Sequence, residues 1–286
     1  MYNKIILSSC ISLLIALTLS FTWPMNDVRI TSSFGESRGD HFHSGIDIIS
    51  WNATIYPVLD GELVYYWDNS LFPTENYPGG GNYKILKHDS GYYSIYMHLS
   101  DNLSGKNTYS KNDSIGKMGN TGHSSGNHLH LSLFQINSKK YINPLNFLPK
   151  TEDKIKPSIE DVFIRIEDKY FLIKNNDNVR LTQHYPLLVN IWDSMHKGER
   201  LGIYKISVML NDVKILDNNY SEIIFLKDIM SISGKSFNDL YDEKGYYKAK
   251  NVKYNDGINT LSITASDYSG NESSKSIKFT VNLETQ

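Results

Sequence analysis

Two histidines one residue apart stand inside the stretch NTGHSSGNHLHLSLF at residues 120–134. From His128 onward the pattern alternates strictly. His128, His130 and Ser132 fall on one side of an extended chain, and Leu129, Leu131 and Leu133 on the other, because successive strand side chains face opposite sides of a sheet. The leucines would enter a core and leave the imidazoles side by side on the opposite face. Zinc is the first chemistry to test there, since neutral imidazole is a preferred zinc ligand.

A second strand pattern, YYSIYMHL at 92–99, carries another histidine. Alternation puts Tyr93, Ile95, Met97 and Leu99 on one face and Tyr92, Ser94, Tyr96 and His98 on the other, so the first set is expected inward and His98 on the polar side. Upstream, His43-Ser-Gly-Ile-Asp47 opens a run rich in isoleucine that reads as the start of a strand. Positions four apart share a strand face, so His43 and Asp47 could bind one ion if the chain bends at Gly45. Three ligands of the His/His/Asp kind plus one water make up a usual catalytic zinc site.

HxxxD at His43 and Asp47, YxHL at 96–99 and HLH at 128–130 resemble the motif set of the LytM/lysostaphin-type zinc endopeptidases, family M23. The flanking text is similar too: SSFGESR at 32–38, HSGIDI at 43–48 and GKMGNTGHSSGNHLH at 116–130. The resemblance covers roughly residues 23 to 149. It implies one zinc ion per chain held by His43, Asp47 and His130, with water in the fourth position. It implies His98 and His128 as the catalytic pair. One would take a proton from the attacking water, and the other would donate to the oxyanion or the leaving amine. The sequence leaves their division of labour open. No HExxH helix is present, so no glutamate base of that type is on offer.

The elements that must position these groups read as β throughout. Residues 29–35, 55–58, 61–67, 83–88 and 92–99 read as short strands, with turns at Asp60-Gly61 and Asp89-Ser-Gly91. Residues 68–82 hold Pro73, Pro78 and three consecutive glycines and form a loop, longer than is usual in the family, that could wall a substrate groove. Asn127, Gly119, Gly122 and Gly126 are read as shaping the turn that aims His128 and His130, with glycine supplying positive φ. The expected fold class is all-β: a LytM-like antiparallel domain at 23–150, a charged linker at 150–157, and an immunoglobulin-like β-sandwich at 151–286. The second half is marked by alternation at Val162/Ile164/Ile166, Ile206/Val208/Leu210, Leu261/Ile263/Ala265 and Ile277/Phe279/Val281. Residues 258–273 resemble the closing hairpin of bacterial immunoglobulin-like modules. Residues 221–250 fit no regular pattern beyond a short helix.

Residues 1–22 read as a secretory signal with a cleavage point just before Phe21, or as a retained membrane anchor. Cys10 is the one cysteine of the chain, so disulfides would not hold a mature protein together. A formal net charge of −2 gives no argument for nucleic acid as a partner. The other histidines, His41, His88, His123, His184 and His196, match no ligand position. His88 reads as a strand-end residue and His184 and His196 as surface groups, while His41 and His123 could line the site. Arg38 reads as a structural ion pair rather than a substrate anchor.

A lone HxH is more often surface chemistry without metal, and a lone HxxxD carries almost no information. Three separate pieces, each with its polar residues on one face, outweigh that plainer reading. The resemblance implies an exported zinc metalloendopeptidase that hydrolyses peptide cross-links of bacterial peptidoglycan, acting in the periplasm, the cell envelope or outside the cell. The membrane enters only through an uncleaved N-terminal segment. The alternative is a non-catalytic wall-binding or hydrolase-activating module on the same fold. For the second half, the reading is a targeting role. No substrate-binding residue is legible.

Overall fold

The computed structural model describes residues 20–71, 79–100, 105–196 and 198–284. Most of the expected signal or anchor, Pro73 and Pro78 lie outside them. The chain is nearly all β. Its only helices among the described residues are the single turns Pro144–Asn146 and Phe237–Leu240. None is long and apolar enough to cross a membrane.

The strands Arg29–Ser32, Ile46–Ile49, Gly61–Trp67, Asn82–Lys87, Tyr92–Leu99, Leu129–Gln135 and Lys140–Ile142 build the sheet that carries the site. Leu129–Gln135 lies at its centre. It pairs antiparallel with Tyr92–Leu99 on one side, and with Lys140–Ile142 and Ile46–Ile49 on the other. Leu129, Leu131 and Leu133 are fully buried, as strict alternation requires. The turn at Asp89-Ser-Gly91 joins two antiparallel partners, Asn82–Lys87 and Tyr92–Leu99. The expected turn at Asp60-Gly61 does not make a hairpin: Thr54–Ile55 pairs instead with Gly116–Lys117 in a small separate sheet.

The strand Tyr92–Leu99 packs the other way round from its sequence pattern. Tyr96 sits opposite Leu131 and is fully buried, its hydroxyl accepting from the Val58 N–H at 2.8 Å. Ser94 shares that core face and meets the buried His88 Nε2 at 2.7 Å. Met97 sits opposite His130 and so faces the site. Apolar residues occupy both faces of this strand, so hydropathy alone cannot orient it.

Folded structure begins before Trp23. Phe21 is buried against Tyr92 and Phe147, and the Thr22 N–H donates to the Val58 carbonyl at 3.0 Å.

Of residues 221–250, unplaced from sequence, the strands up to Ser236 extend the first-half sheet. Glu222–Leu226 pairs antiparallel with Lys140–Ile142, and Ile229–Ile232 and Lys235–Ser236 follow outward. The remaining strands form two further sheets, one ordered Lys169–Leu172, Ser158–Ile166, Leu187–Trp192, Tyr247–Ala249 and one ordered Asn178–Leu181, Glu272–Leu283, Gly257–Ser266, Lys205–Leu210, Val213–Asn219. The alternating residues Val162, Ile164, Ile206, Val208, Leu210, Leu261, Ile263, Ala265, Ile277, Phe279 and Val281 are buried, and Asp267 to Asn271 turns between the last two strands. One pairing there, Asn178–Leu181 with Glu272–Leu283, is parallel. Buried residues of both halves belong to one continuous hydrophobic cluster.

Candidate metal and catalytic site

Three chain segments converge where Ile46–Ile49 crosses Leu129–Gln135. Asp47 sits directly opposite His130 in the antiparallel register. His43 arrives from the preceding loop. Its Nε2 lies 3.1 Å from Asp47 Oδ1 and 2.9 Å from His130 Nδ1, and His130 Nδ1 lies 3.0 Å from Asp47 Oδ1. All three side chains are buried.

Each donor is held from behind. His43 Nδ1–H donates to the Ser33 carbonyl at 2.8 Å, which leaves the Nε2 lone pair turned inward. His130 Nε2 meets Ser132 Oγ at 2.8 Å, and Arg38 donates to Asp47 Oδ2 at 2.5 Å. Outer partners of this kind fix ring orientation and tautomer at metal sites. Arg38 is thus the structural ion pair that its sequence reading anticipates. Two imidazole nitrogens and one carboxylate oxygen form a triangle with edges of 2.9–3.1 Å. Tetrahedral zinc with ligand bonds of about 2.0–2.1 Å asks for edges near 3.3 Å, so the donor set fits such an ion in both type and size.

Gly45 is explained by this crossing rather than by a bend. A Cβ there would lie 2.3 Å from the Leu131 carbonyl oxygen and 2.7 Å from His130 Nε2. Of the three glycines before His128, Gly122 has positive φ, while a Cβ on Gly119 would meet the backbone of His98 to Ser100 at 2.5–2.8 Å. Gly126 shows neither constraint.

His98 and His128 stand beside the triangle with ring centroids 4.7 Å apart. His98 Nδ1–H donates to the Thr121 carbonyl and His128 Nδ1–H to the Gly126 carbonyl, both at 2.8 Å. Nε2 is therefore the nitrogen left for chemistry on both rings. His128 Nε2 is 3.7 Å from Asp47 Oδ1. Simple alternation from Tyr96 would bury His98 in the core. Its backbone is instead left-handed, with φ of +61°, and the register against Asn82–Lys87 slips at that place. The kink turns the imidazole to the site face and still returns Leu99 to the core.

Burial holds the pKa of His98 below its ordinary value and pushes His130 down to about 4. Burial alone would raise Asp47, but the His130 and His43 rings packed against its carboxylate outweigh it and hold the carboxyl far below the usual range. Burial thus favours neutral His130 beside an ionised Asp47, the protonation that metal binding needs.

These residues line a cleft of about 360 Å³, together with His41, His123 and Met97. His88 lies elsewhere, buried beneath the sheet, and His184 and His196 are exposed. Sequence reasoning gave no role to Ser132, although alternation placed it beside His130. It also missed the Ser33, Thr121 and Gly126 carbonyls, because backbone acceptors leave no residue-type signal.

The loop that carries His43 is gripped by the second half of the chain. Ser33 Oγ donates to the Gly202 carbonyl at 3.2 Å, the Gly202 N–H donates to Glu36 Oε2 at 3.2 Å, and Tyr241 OH donates to the Gly35 carbonyl at 3.0 Å. Arg29 pairs with Glu199 nearby. Ser33 and Glu36 in turn accept from His43, through its ring and its backbone N–H.

Residues 41–144 match the profile of Peptidase family M23. The chain is 36% identical over 164 residues to an uncharacterized metalloprotease of Haemophilus influenzae, covering 54% of this chain and 30% of that protein. It is 37% identical over 134 residues to the murein hydrolase activator NlpD of Salmonella typhimurium, covering 46% of this chain and 32% of that protein. It is 35% identical over 108 residues to the peptidoglycan DD-endopeptidase ShyA of Vibrio cholerae, covering 35% of this chain and 25% of that protein. The matched region spans about a third or less of the length of these relatives.

Proposed function

We propose that this chain, whose residues 41–144 match Peptidase family M23, is a zinc-dependent endopeptidase that hydrolyses peptide cross-links of bacterial peptidoglycan in the cell envelope. The observation that carries this reading is the complete site: a His43/Asp47/His130 donor triangle with two further imidazoles alongside. Zinc, when bound, supplies Lewis acidity, lowering the pKa of water to about 7 and polarising the scissile carbonyl.

The chain's own groups supply the rest. His98 and His128 each present Nε2 to the cleft, locked there by the carbonyl that takes the Nδ1 proton. One accepts a proton from the attacking water. The other donates to the developing oxyanion or the departing amine. Burial lowers the basicity of His98, so it is neutral and ready to accept at neutral pH.

The activator reading keeps one specific support, the 37% identity to a murein hydrolase activator. Incubating the full-length protein with purified peptidoglycan, followed by mass analysis of the soluble fragments, separates the two. The endopeptidase account expects cross-linked fragments to give way to monomers carrying new amino termini, and expects His98→Ala to stop this while metal content stays intact. An activator would release nothing alone and would accelerate a separate murein hydrolase.

A further inference from the structure

A second cluster of ligating side chains lies away from the cleft. Asp153 of the segment joining the two halves, Asp193 beyond the strand Leu187–Trp192 and Asp267 of the closing hairpin turn bring one carboxylate oxygen each within 4.8 Å of the others. Asp193 and Asp267 are buried. Among the described residues no lysine or arginine pairs with any of the three. The His196 imidazole acts electrostatically on Asp153. Like charges this close in a buried setting repel strongly.

Asp193 supplies the second observation. It is only 4% exposed, and its Oδ1 has no hydrogen-bond partner among the described residues. Its backbone is fixed by reciprocal hydrogen bonds with Leu201 at 2.7 and 2.8 Å. An orphaned, buried carboxylate oxygen carries a full desolvation cost unless something positive meets it. Asp153 and Asp193 also form part of the wall of a small, partly open pocket of about 30 Å³, between residues of the first half such as Ser33 and Asn143 and residues of the second such as Tyr204 and Tyr268. That is room for a small ion or a water to complete a shell.

We propose that Asp153, Asp193 and Asp267 bind a hard divalent cation of the calcium class, which clamps the connecting segment to the second half of the chain. Oxygen-only donors select such ions over the nitrogen-rich chemistry of the cleft. Asp267 is preset for the task. Its Oδ1 accepts from the Gly270 and Asn271 N–H groups at 2.7 and 2.8 Å, and Asn271 Nδ2 reaches both Asp267 Oδ2 and the Asp153 carbonyl. The Asp267 carboxylate is thus organised before any ion arrives.

Thermal unfolding of the full-length protein, purified with its cleft metal retained, tests this without reference to catalysis. Calcium at 10 mM should raise Tm by about 3–8 °C, given the roughly 0.1–1 mM affinity typical of extracellular calcium modules. Magnesium should do less. Asp193→Asn and, in the more exposed connecting segment, Asp153→Asn should each abolish the calcium response and leave zinc content unchanged. No calcium-dependent rise in the parent protein overturns the proposal. So does a full rise in both variants, or a larger rise with magnesium than with calcium.

Discussion

Two neighbouring strands each deliver a histidine to the cleft, by opposite means. Leu129–Gln135 does it with regular alternation: Leu129, Leu131 and Leu133 go down, and His130 and Ser132 go up. Tyr92–Leu99 does it by breaking alternation. Tyr96 and Leu99 are both buried, and His98 between them reaches the opposite face through a left-handed backbone. The regular strand holds a proposed metal ligand in relaxed geometry. The irregular one holds a proposed proton carrier in a conformation that costs of order 1–3 kcal/mol for a non-glycine residue. The donor triangle thus follows from regular strand geometry, whereas the proposed proton-handling group needs a local departure from it.

The largest effect that bears on this contrast is in turnover. His130→Ala should abolish peptidoglycan hydrolysis, because a third of the donor triangle is gone. His98→Ala should lower it by about 10²–10⁴-fold, the usual contribution of a positioned acid or base, as read from fragment release over time. Equal losses in the two variants would erase the distinction between the strands.

A smaller effect comes with pH. Burial lowers His130 from about 6.5 unfolded to about 4 folded, so the folded, metal-free protein binds fewer protons than the unfolded one. Its stability is complete above pH 6.5 and is lost as pH falls toward 4, by on the order of 3 kcal/mol. Denaturant melts of chelated protein at pH 7 and pH 4.5 measure the loss, and His130→Gln should flatten that part of the profile.

Ser132→Ala removes the hydroxyl behind His130 and should weaken zinc binding by about 10–100-fold, measured by competition with a chelator. It should leave His98 and its kink untouched.

The smallest effect is also the sharpest. Glycine tolerates positive φ and alanine does not, so His98→Gly should be more stable than His98→Ala by about 1 kcal/mol. At His130, in extended backbone, the order should reverse by about 0.5–1 kcal/mol. The same order at both positions would contradict the kink.

Legibility in the sequence tracks this division. Residues 128–133 could be placed because one face is wholly apolar and the other wholly polar. His43 and Asp47 could be paired by their motif, although His43 comes from the loop before the strand Ile46–Ile49 and not from a shared strand face. The orientation of Tyr92–Leu99 could not be read. Tyr92 and Tyr96 on one face compete with Ile95 and Met97 on the other, and a left-handed histidine has no signature beyond a mild preference of its residue type. The addition of Glu222–Leu226 to the first-half sheet was illegible for another reason: strand pairing between residues some eighty positions apart is set by packing, not by local pattern. That pairing and the grip of Gly202 and Tyr241 on the segment before His43 join the second half to the surroundings of the site, contacts that no local pattern announces.

Metal content, measured by elemental analysis of purified full-length protein and its variants, tests the central claim most directly. The account predicts one zinc per chain in the parent protein, the same in His98→Ala, and none in His130→Ala. A parent protein without bound metal, or a His130→Ala protein that retains its zinc, would contradict it.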